Sequence, residues 1–331
     1  MSPLHTEVLT VSAGHPDPLA LARAAAVLKQ GGLVALPTET VYGLGANALD
    51  PAAVHRIFAA KDRPADNPLI VHVDGVEMAR SLVADWPAEA ELLASRFWPG
   101  PLTLILPKSP RVPDAVTAGL PAVALRMPAH PVGRALIRIA GLPIAAPSAN
   151  RSGRPSPTDA AHVLADLKGR VDMILDGGPA AVGIESTVLS LLADPPMILR
   201  PGGVSLDQLQ AVDPRIAYGA DHGKVSPGTR YKHYAPKAPV TRLGALSALE
   251  AEAARLNAEG QKVGILTHVP VTVPDSVSVV SLPDDPDGYA AQFYRAMRAL
   301  DAHGPDRILL LEPPSGGRWD AVRDRVLRAS S

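Results

Sequence analysis

The chain of 331 residues contains no cysteine, which excludes disulfide bonds, thiolate nucleophiles and cysteine-ligated zinc. No apolar run is long enough to span a bilayer, and the first ten residues lack the apolar segment of a signal peptide. The formal net charge of -1 argues against a broad nucleic-acid-binding surface. We therefore expect a globular cytoplasmic protein in which positive charge is at most local.

The common nucleotide and catalytic motifs are also absent. There is no GxxxxGK(S/T), no GxGxxG between a strand and a helix, and neither HExxH nor GxSxG. The 10 histidines show no paired metal-ligand spacing, so we predict no metal site built by the protein. Any Mg²⁺ would arrive on nucleotide phosphates. A nucleotide, if one binds, must be held by dispersed loops.

What the sequence does contain is a pattern of short apolar runs. With 47% hydrophobic and 20% charged residues the chain can build sizeable cores, and its length favours two domains. In residues 1–210 predicted strands outnumber helices, which indicates a twisted mixed sheet with helices packed on it and an open ligand cleft. Asp17-Pro18 and Asp50-Pro51 each predict a helix start.

Residues 211–239 lack this periodicity, although they are basic and aromatic where a passive spacer would be Gly/Ser-rich or simply Pro-rich. From residue 240 onward strands and helices alternate, as in a small doubly wound domain. We predict an N-terminal domain over 1–210, an ordered linker or lid over 211–239, and a smaller Rossmann-like α/β domain over 240–331.

Two polar loops stand out in the first domain. Lys61 and Arg63 lie in a proline-framed segment and could neutralise a polyphosphate, or form only a solvated basic turn. The segment 147–158, with Ser148, Asn150 and Ser152, could form an anion nest. The alternative is a helix-capping loop with Thr158 as the N-cap.

Other positions are more ambiguous. The glycine-rich segment 176–187 could let backbone approach a ligand, or could be a plain hairpin connection. Arg126 and Arg200 each end an apolar strand, where a side chain can reach into a cleft. His72 lies within an apolar run and, taken singly, fits a core histidine as well as a ligand-binding one.

Taken together, these segments resemble one family. The ordered motifs are PTETVYGLG, KDRPADNPLIVH, WPGPLT, VALRMPAHP, PSANRSGRPSPT, GIESTVL and ILRPGGV. They resemble the YrdC/Sua5 threonylcarbamoyl-AMP synthases. SPGTRYKHYAP followed by a small α/β unit resembles the longer Sua5 form, so the resemblance covers nearly the whole chain.

The resemblance implies a nucleotidyltransferase that condenses L-threonine, bicarbonate and ATP to threonylcarbamoyl-AMP and pyrophosphate. Mg²⁺ would enter with ATP. The product would feed the t6A modification of ANN-decoding tRNAs, carried out by separate transferase proteins. Neither a membrane nor stable nucleic-acid binding would be required.

The resemblance also implies roles for individual residues. The catalytic tetrad corresponds to Lys61, Arg63, Ser148 and Asn150. The threonine pocket corresponds to Thr40, His72, Arg126, the backbone around Ala146, and Ser186, with Arg126 facing the substrate carboxylate. The ATP contacts correspond to Arg63, Asn67, Ala122 through its backbone, Ser148, Ser156, Arg200, and in the linker Tyr231 and His233.

Two other interpretations remain. A carbamoyltransferase-like enzyme would carry this module within a larger chain that has zinc-finger segments, and the absence of cysteine argues against it. An RNA-binding or ribosome-assembly module would use the cleft electrostatically and bind in a salt-sensitive way. The net charge of -1 speaks against that second reading.

Overall fold

The computed structural model describes residues 4–219 and 234–330. The predicted linker contacts Tyr231 and His233 lie outside the described residues. Within these ranges the chain forms two sheets, a large mixed one in the N-terminal unit and a smaller parallel one in the C-terminal unit. This confirms the predicted fold class of a mixed α/β sheet followed by a smaller α/β unit.

The larger sheet contains eleven strands among the described residues, in the order β1-β8-β2-β3-β7-β4-β6-β5-β9-β10-β11. The strands are β1 (Glu7–Thr10), β2 (Val34–Leu36), β3 (Gly43–Asn47), β4 (Ile70–His72), β5 (Leu102–Pro107), β6 (Ala122–Arg126), β7 (Ile144–Ala145), β8 (Met173–Asp176), β9 (Thr187–Ser190), β10 (Met197–Arg200) and β11 (Ala217–Tyr218). The helices are α1 (Pro18–Lys29), α2 (Pro51–Lys61), α3 (Val76–Arg80), α4 (Ala88–Phe97), α5 (Asp114–Thr117), α6 (Pro131–Ala140), α7 (Ala160–Leu167) and α8 (Leu206–Gln210).

Both predicted Asp-Pro helix starts are confirmed. The Asp17 carboxylate accepts a hydrogen bond from the Leu19 amide, and Asp50 does the same for Ala52, with proline at the first helical position each time. The predicted cap of α7 is wrong, because the N-cap is Asp159, whose carboxylate accepts from the His162 amide at 2.9 Å. Thr158 is buried one residue earlier, with its hydroxyl against the His162 ring.

Strand β3 was not predicted from the sequence. It forms an antiparallel pair with β2 across residues 37–42, so the polar turn is the end of a hairpin. Gly43 and Gly45 gave no strand signal, since glycine is depleted in strands. Glycine is required at residue 45, because a Cβ there would lie 2.8 Å from side-chain atoms of both Leu36 and Ile144.

The smaller sheet is parallel, with strand order β12-β15-β13-β14. Its elements are β12 (Val240–Leu243), α9 (Leu246–Ala258), β13 (Val263–Thr267), β14 (Ser278–Ser281), α10 (Pro286–Ala302), β15 (Arg307–Leu311) and α11 (Trp319–Ala329). Helix α9 packs on one face with Leu309 and Leu311, whereas α10 and α11 pack on the other with Ile308 and Leu310. Helices on both faces confirm the predicted doubly wound arrangement.

The centre of the larger sheet determines where a ligand can bind. Strands β4 and β6 are parallel and in register, so His72 and Arg126 end neighbouring strands side by side. Strand β7 runs antiparallel to β4, and the Ala146 amide donates to the Ile70 carbonyl at 2.9 Å. Several strand ends and their loops therefore meet in one place.

In the described ranges, none of the helices has the length and apolarity of a membrane span.

Candidate active site

A polar cleft lies where these strands end. Eight of the predicted site residues line it, namely Thr40, Arg63, His72, Arg126, Ala146, Ser148, Ser186 and Arg200. They come from segments that are far apart in the sequence, and the sheet brings them together. Three arginines and one histidine around a single cleft make it suited to a ligand with carboxylate or phosphate groups.

One wall of the cleft is built around Arg126. Its Nη2 lies 2.7 Å from the Glu39 carboxylate, and its Nε donates to the Gly100 carbonyl at 3.2 Å. The Glu39 carboxylate also accepts from the Ala129 amide at 2.9 Å. Because Arg126 is only 4% exposed, these contacts fix its guanidinium in one orientation. A planar cation held in this way can bind a substrate carboxylate through its remaining donors.

A second part of the cleft lining is built around Ser186 and Arg200. Arg200 donates to the Ser186 carbonyl at 2.9 Å and to its hydroxyl at 3.3 Å. The Ser186 hydroxyl also lies 2.8 Å from the hydroxyl of Thr103 on β5. Both residues are buried, so the cleft presents an oriented hydroxyl next to a cation.

Lys61 lies behind the cleft and does not line it. The side chain is 1% exposed, and its Nζ donates to the Ser148 carbonyl at 2.5 Å and to the Asn150 carbonyl. The Ser148 hydroxyl in turn donates to the Asn150 carboxamide oxygen at 2.6 Å. Three members of the predicted tetrad are thus directly connected, while Arg63 reaches the cleft from the segment after α2.

Burial is the main reason why the pKa of Lys61 lies well below its usual value, and the nearby Arg63 guanidinium lowers it further. Negative charge close to both cations would raise that pKa again. The pair is therefore arranged so that an anion bound at Arg63 would stabilise the charged form of Lys61.

Three further predicted residues lie around the cleft without lining it. Asn67 is buried beside Arg63, which donates to its carbonyl at 3.4 Å. Ala122 belongs to a small apolar cluster that includes Ile70, a residue of the cleft wall. Ser156 is buried, and its hydroxyl donates to the Glu185 carboxylate at 2.6 Å. Their predicted roles in binding ATP remain predictions.

The structure also adds three residues that the sequence did not single out for the cleft. Glu39 orients Arg126, and Glu185 lines the cleft next to Ser186. Tyr234 lines the cleft directly after the segment 220–233. Glu39 lies within the PTET motif and Glu185 within GIEST, so each had a local signal. What could not be read from the sequence was which partner each one meets.

His72 should make the free energy of unfolding depend on pH. Burial, and next to it the charge of Arg126, lower the pKa of His72 to about 3. Its ordinary value of 6.5 lies above this, so the unfolded chain binds more protons between the two values. The free energy of unfolding should therefore fall as the pH drops from about 6.5 towards 3, with an upper bound of about 5 kcal/mol from this group.

We expect His72→Gln to remove this part of the acid dependence, as measured by urea unfolding at a series of pH values. His15→Gln, at an exposed position, is the matched control and should leave the slope unchanged. The pKa of His130 and that of His162 are also lowered by burial, so some acid dependence will remain in the variant. An unchanged slope in His72→Gln would show that His72 is not held neutral.

Comparison with known proteins agrees with this geometry. Residues 26–202 match the family described as "Telomere recombination", and residues 204–331 match "Threonylcarbamoyl-AMP synthase, C-terminal domain". A Pyrococcus abyssi protein named threonylcarbamoyl-AMP synthase is 46% identical over 318 residues, which cover 93% of each chain. The Bacillus subtilis protein of that name is 45% identical over 320 residues, covering 94% of this chain and 92% of its own.

A solved structure extends the similarity to three dimensions. The crystal structure of P. abyssi Sua5 complexed with L-threonine has a TM-score of 0.93 at 44% identity and covers 98% of both chains. The fold, the cleft and these similarities together define an α/β enzyme with a polar cleft at the strand ends of its larger sheet. The chain belongs to the Sua5 family of threonylcarbamoyl-AMP synthases, in its two-part form.

Proposed function

We propose that this protein makes L-threonylcarbamoyladenylate and pyrophosphate from L-threonine, bicarbonate and ATP, and so acts as a nucleotidyltransferase. The observation that carries the proposal is the cleft itself. The guanidinium of Arg126, fixed by Glu39, faces the same space as the Ser186 hydroxyl. The similarity to a Sua5 protein crystallised with L-threonine supports an amino acid as the ligand there.

The chemistry calls for oriented cations more than for a covalent nucleophile. The threonine amine forms an N–C bond with CO2 derived from bicarbonate and loses a proton, which gives a carbamate. A carbamate oxygen then bonds to the α-phosphorus of ATP as the bond to pyrophosphate breaks. Charge builds up on the phosphate oxygens in this step, and fixed cations stabilise that charge.

The described residues support separate roles in binding threonine and in binding ATP. Arg126 would bind the threonine carboxylate, with His72, Thr40, Ser186 and the backbone at Ala146 around the amino acid. Arg63 and Arg200 would face the triphosphate, together with the hydroxyl of Ser148. Asn67, Ala122 and Ser156, which lie around the cleft without lining it, would complete the ATP site. Mg²⁺ would enter bound to ATP.

The product is a mixed anhydride, so it must be consumed by a transferase that moves the threonylcarbamoyl group to an acceptor. We propose that the acceptor is tRNA and that separate t6A-transferase proteins carry out the transfer. This assigns the protein to the compartment where tRNA is modified, the cytoplasm. Stable binding of tRNA by this chain is not part of the proposal.

The test is pyrophosphate release from ATP and bicarbonate, measured with and without L-threonine. We expect release that depends on threonine and falls when bicarbonate is removed by degassing. L-Serine, which lacks one methyl group, should be used about 10- to 200-fold less efficiently. ATP that stays intact with every amino acid would overturn the proposal and favour the RNA-binding interpretation.

A further inference from the structure

The buried Glu185 carboxylate is bound by the C-terminal unit. One of its oxygens accepts from Nε of Arg325 on α11 at 2.6 Å. The hydroxyl of Tyr294 on α10 donates to the same carboxylate, 3.0 and 3.2 Å from its two oxygens. Because Glu185 lines the cleft, two helices of the smaller sheet contact a residue of the site directly.

Arg325 also holds the neighbouring strand. Its Nη2 donates to the Pro201 carbonyl at 3.0 Å, directly after Arg200. The Arg325 guanidinium therefore fixes both Glu185, which precedes Ser186, and Pro201, which follows Arg200. Those two cleft residues are themselves hydrogen bonded at 2.9 Å. Arg325 thus holds together two predicted sets of contacts, one for threonine and one for ATP.

The ion pair between Arg325 and Glu185 is almost completely buried. The Arg325 side chain is 0% exposed and that of Glu185 9%. Burial alone would raise the pKa of Glu185, but Arg325 and Arg200 together hold it below its usual value. A buried ion pair adds little net stability compared with apolar residues of similar volume, whereas losing one partner is strongly destabilising. Net stability alone therefore does not explain the presence of this pair.

Aromatic contacts connect Arg325 and Tyr294 to Tyr234. The Arg325 guanidinium lies 5.4 Å from the centre of the Tyr234 ring, and the Tyr234 and Tyr294 rings are 5.5 Å apart. Tyr234 itself lines the cleft. The C-terminal unit therefore supports the cleft both through the ends of β9 and β10 and through Tyr234, the first described residue after residue 219.

We propose that Arg325 and Tyr294 are positioning residues of the active site, which hold Glu185 and Pro201 so that Ser186 and Arg200 keep a fixed orientation. The C-terminal unit is then a structural part of the cleft. The expected effect on synthesis rests on the proposed function, whereas the effect on the order of the two strand ends does not. Site residues need a tight geometry, and small displacements lower rates steeply.

Two conservative pairs of variants test this proposal. Tyr294→Phe removes one hydroxyl and keeps the ring, and Tyr289→Phe is its control on the same helix. Tyr289 is equally buried, and its hydroxyl has no hydrogen-bond partner within the described ranges. Arg325→Lys keeps the charge but lacks the planar guanidinium fork, which reaches Glu185 through Nε and Pro201 through Nη2. Its control is Arg323→Lys on the same helix, since the Arg323 guanidinium donates to the Pro313 carbonyl and pairs with Glu312, both residues of the C-terminal unit.

The first readout is amide hydrogen exchange in the full chain without substrate. We expect Arg325→Lys to speed exchange about 10-fold or more in peptides that contain the Thr187 and Gly203 amides, which donate to the Pro101 and Glu185 carbonyls. Arg323→Lys should not change it. Unchanged exchange in Arg325→Lys would overturn the proposal, even if the wild-type protein made no adenylate.

The second readout separates KM from kcat below the melting temperature. We expect kcat/KM to fall about 10-fold in Tyr294→Phe and about 100-fold in Arg325→Lys, with KM raised for both threonine and ATP. Tyr289→Phe and Arg323→Lys should stay within twofold of wild type. Two outcomes would overturn the positioning role. One is a fall in kcat alone that matches the loss of folded protein, and the other is wild-type kinetics in both Tyr294→Phe and Arg325→Lys. A wild-type protein without turnover would refute the proposed function alone.

Discussion

Replacing Lys61 with methionine is expected to lower adenylate formation by about 100-fold or more while the protein stays folded. Methionine keeps most of the side-chain volume but removes the donors that hold the Ser148 and Asn150 carbonyls. The loop that carries both residues would lose its fixed position, and the positive charge behind Arg63 would be lost as well. Pyrophosphate release at saturating substrates measures the effect, and thermal unfolding monitors the fold.

The control is Lys29→Met. Lys29 is the last residue of α1 as Lys61 is the last of α2, but it is exposed where Lys61 is buried. This variant should stay within twofold of the wild-type rate. A rate near wild type in Lys61→Met would remove Lys61 from the mechanism and leave it a structural residue that supports the loop of Ser148 and Asn150.

Replacing Arg126 with alanine is expected to raise the KM for threonine by about 100-fold or more and the KM for ATP by less than about threefold. A hydrogen-bonded charge pair with the substrate carboxylate would be lost, and Glu39 would be left as an unpaired carboxylate beside the amino acid. Arg126→Lys keeps the charge without the planar fork and should give an intermediate KM. Initial rates with each substrate varied in turn provide the measurement.

Arg138→Ala, at an exposed position on α6, is the control and should leave both KM values unchanged. Melting temperatures must be compared, because the unpaired Glu39 is expected to destabilise Arg126→Ala. The intermediate Arg126→Lys separates this loss of stability from the loss of binding. A defect mainly in the KM for ATP would assign Arg126 to the nucleotide.

The local elements of the fold could be predicted from the sequence because their signals are local. The Asp-Pro pairs and the apolar periodicity predicted α1, α2 and each of the four described strands of the C-terminal unit. Strand β3 was missed because glycine is depleted in strands, and the reason for Gly45 is its close packing against Leu36 and Ile144, which are distant in the sequence. The cap of α7 was misassigned by one residue, since Thr158 and Asp159 are both good caps and tertiary contacts bury the threonine.

Several residues of the cleft could be predicted from the sequence, whereas the contacts between them could not. Motifs identified residues that the sheet brings into one cleft, but not their partners. Glu185 and Arg325 are separated by 140 positions, and nothing in either segment identifies the other. The pairing of Arg126 with Glu39 depends on the hairpin that contains β3, the strand that sequence periodicity did not reveal. Long-range contacts of this kind follow from the topology of the sheet and not from local sequence.

The central claim is that carbon from bicarbonate joins the threonine nitrogen to AMP in this cleft. The most direct test incubates the wild-type protein with ATP, L-threonine and ¹³C-bicarbonate and analyses the nucleotide products at once by mass spectrometry. We expect threonylcarbamoyl-AMP carrying a single ¹³C, and its loss when threonine is omitted. ATP hydrolysis without that labelled adenylate would contradict the claim.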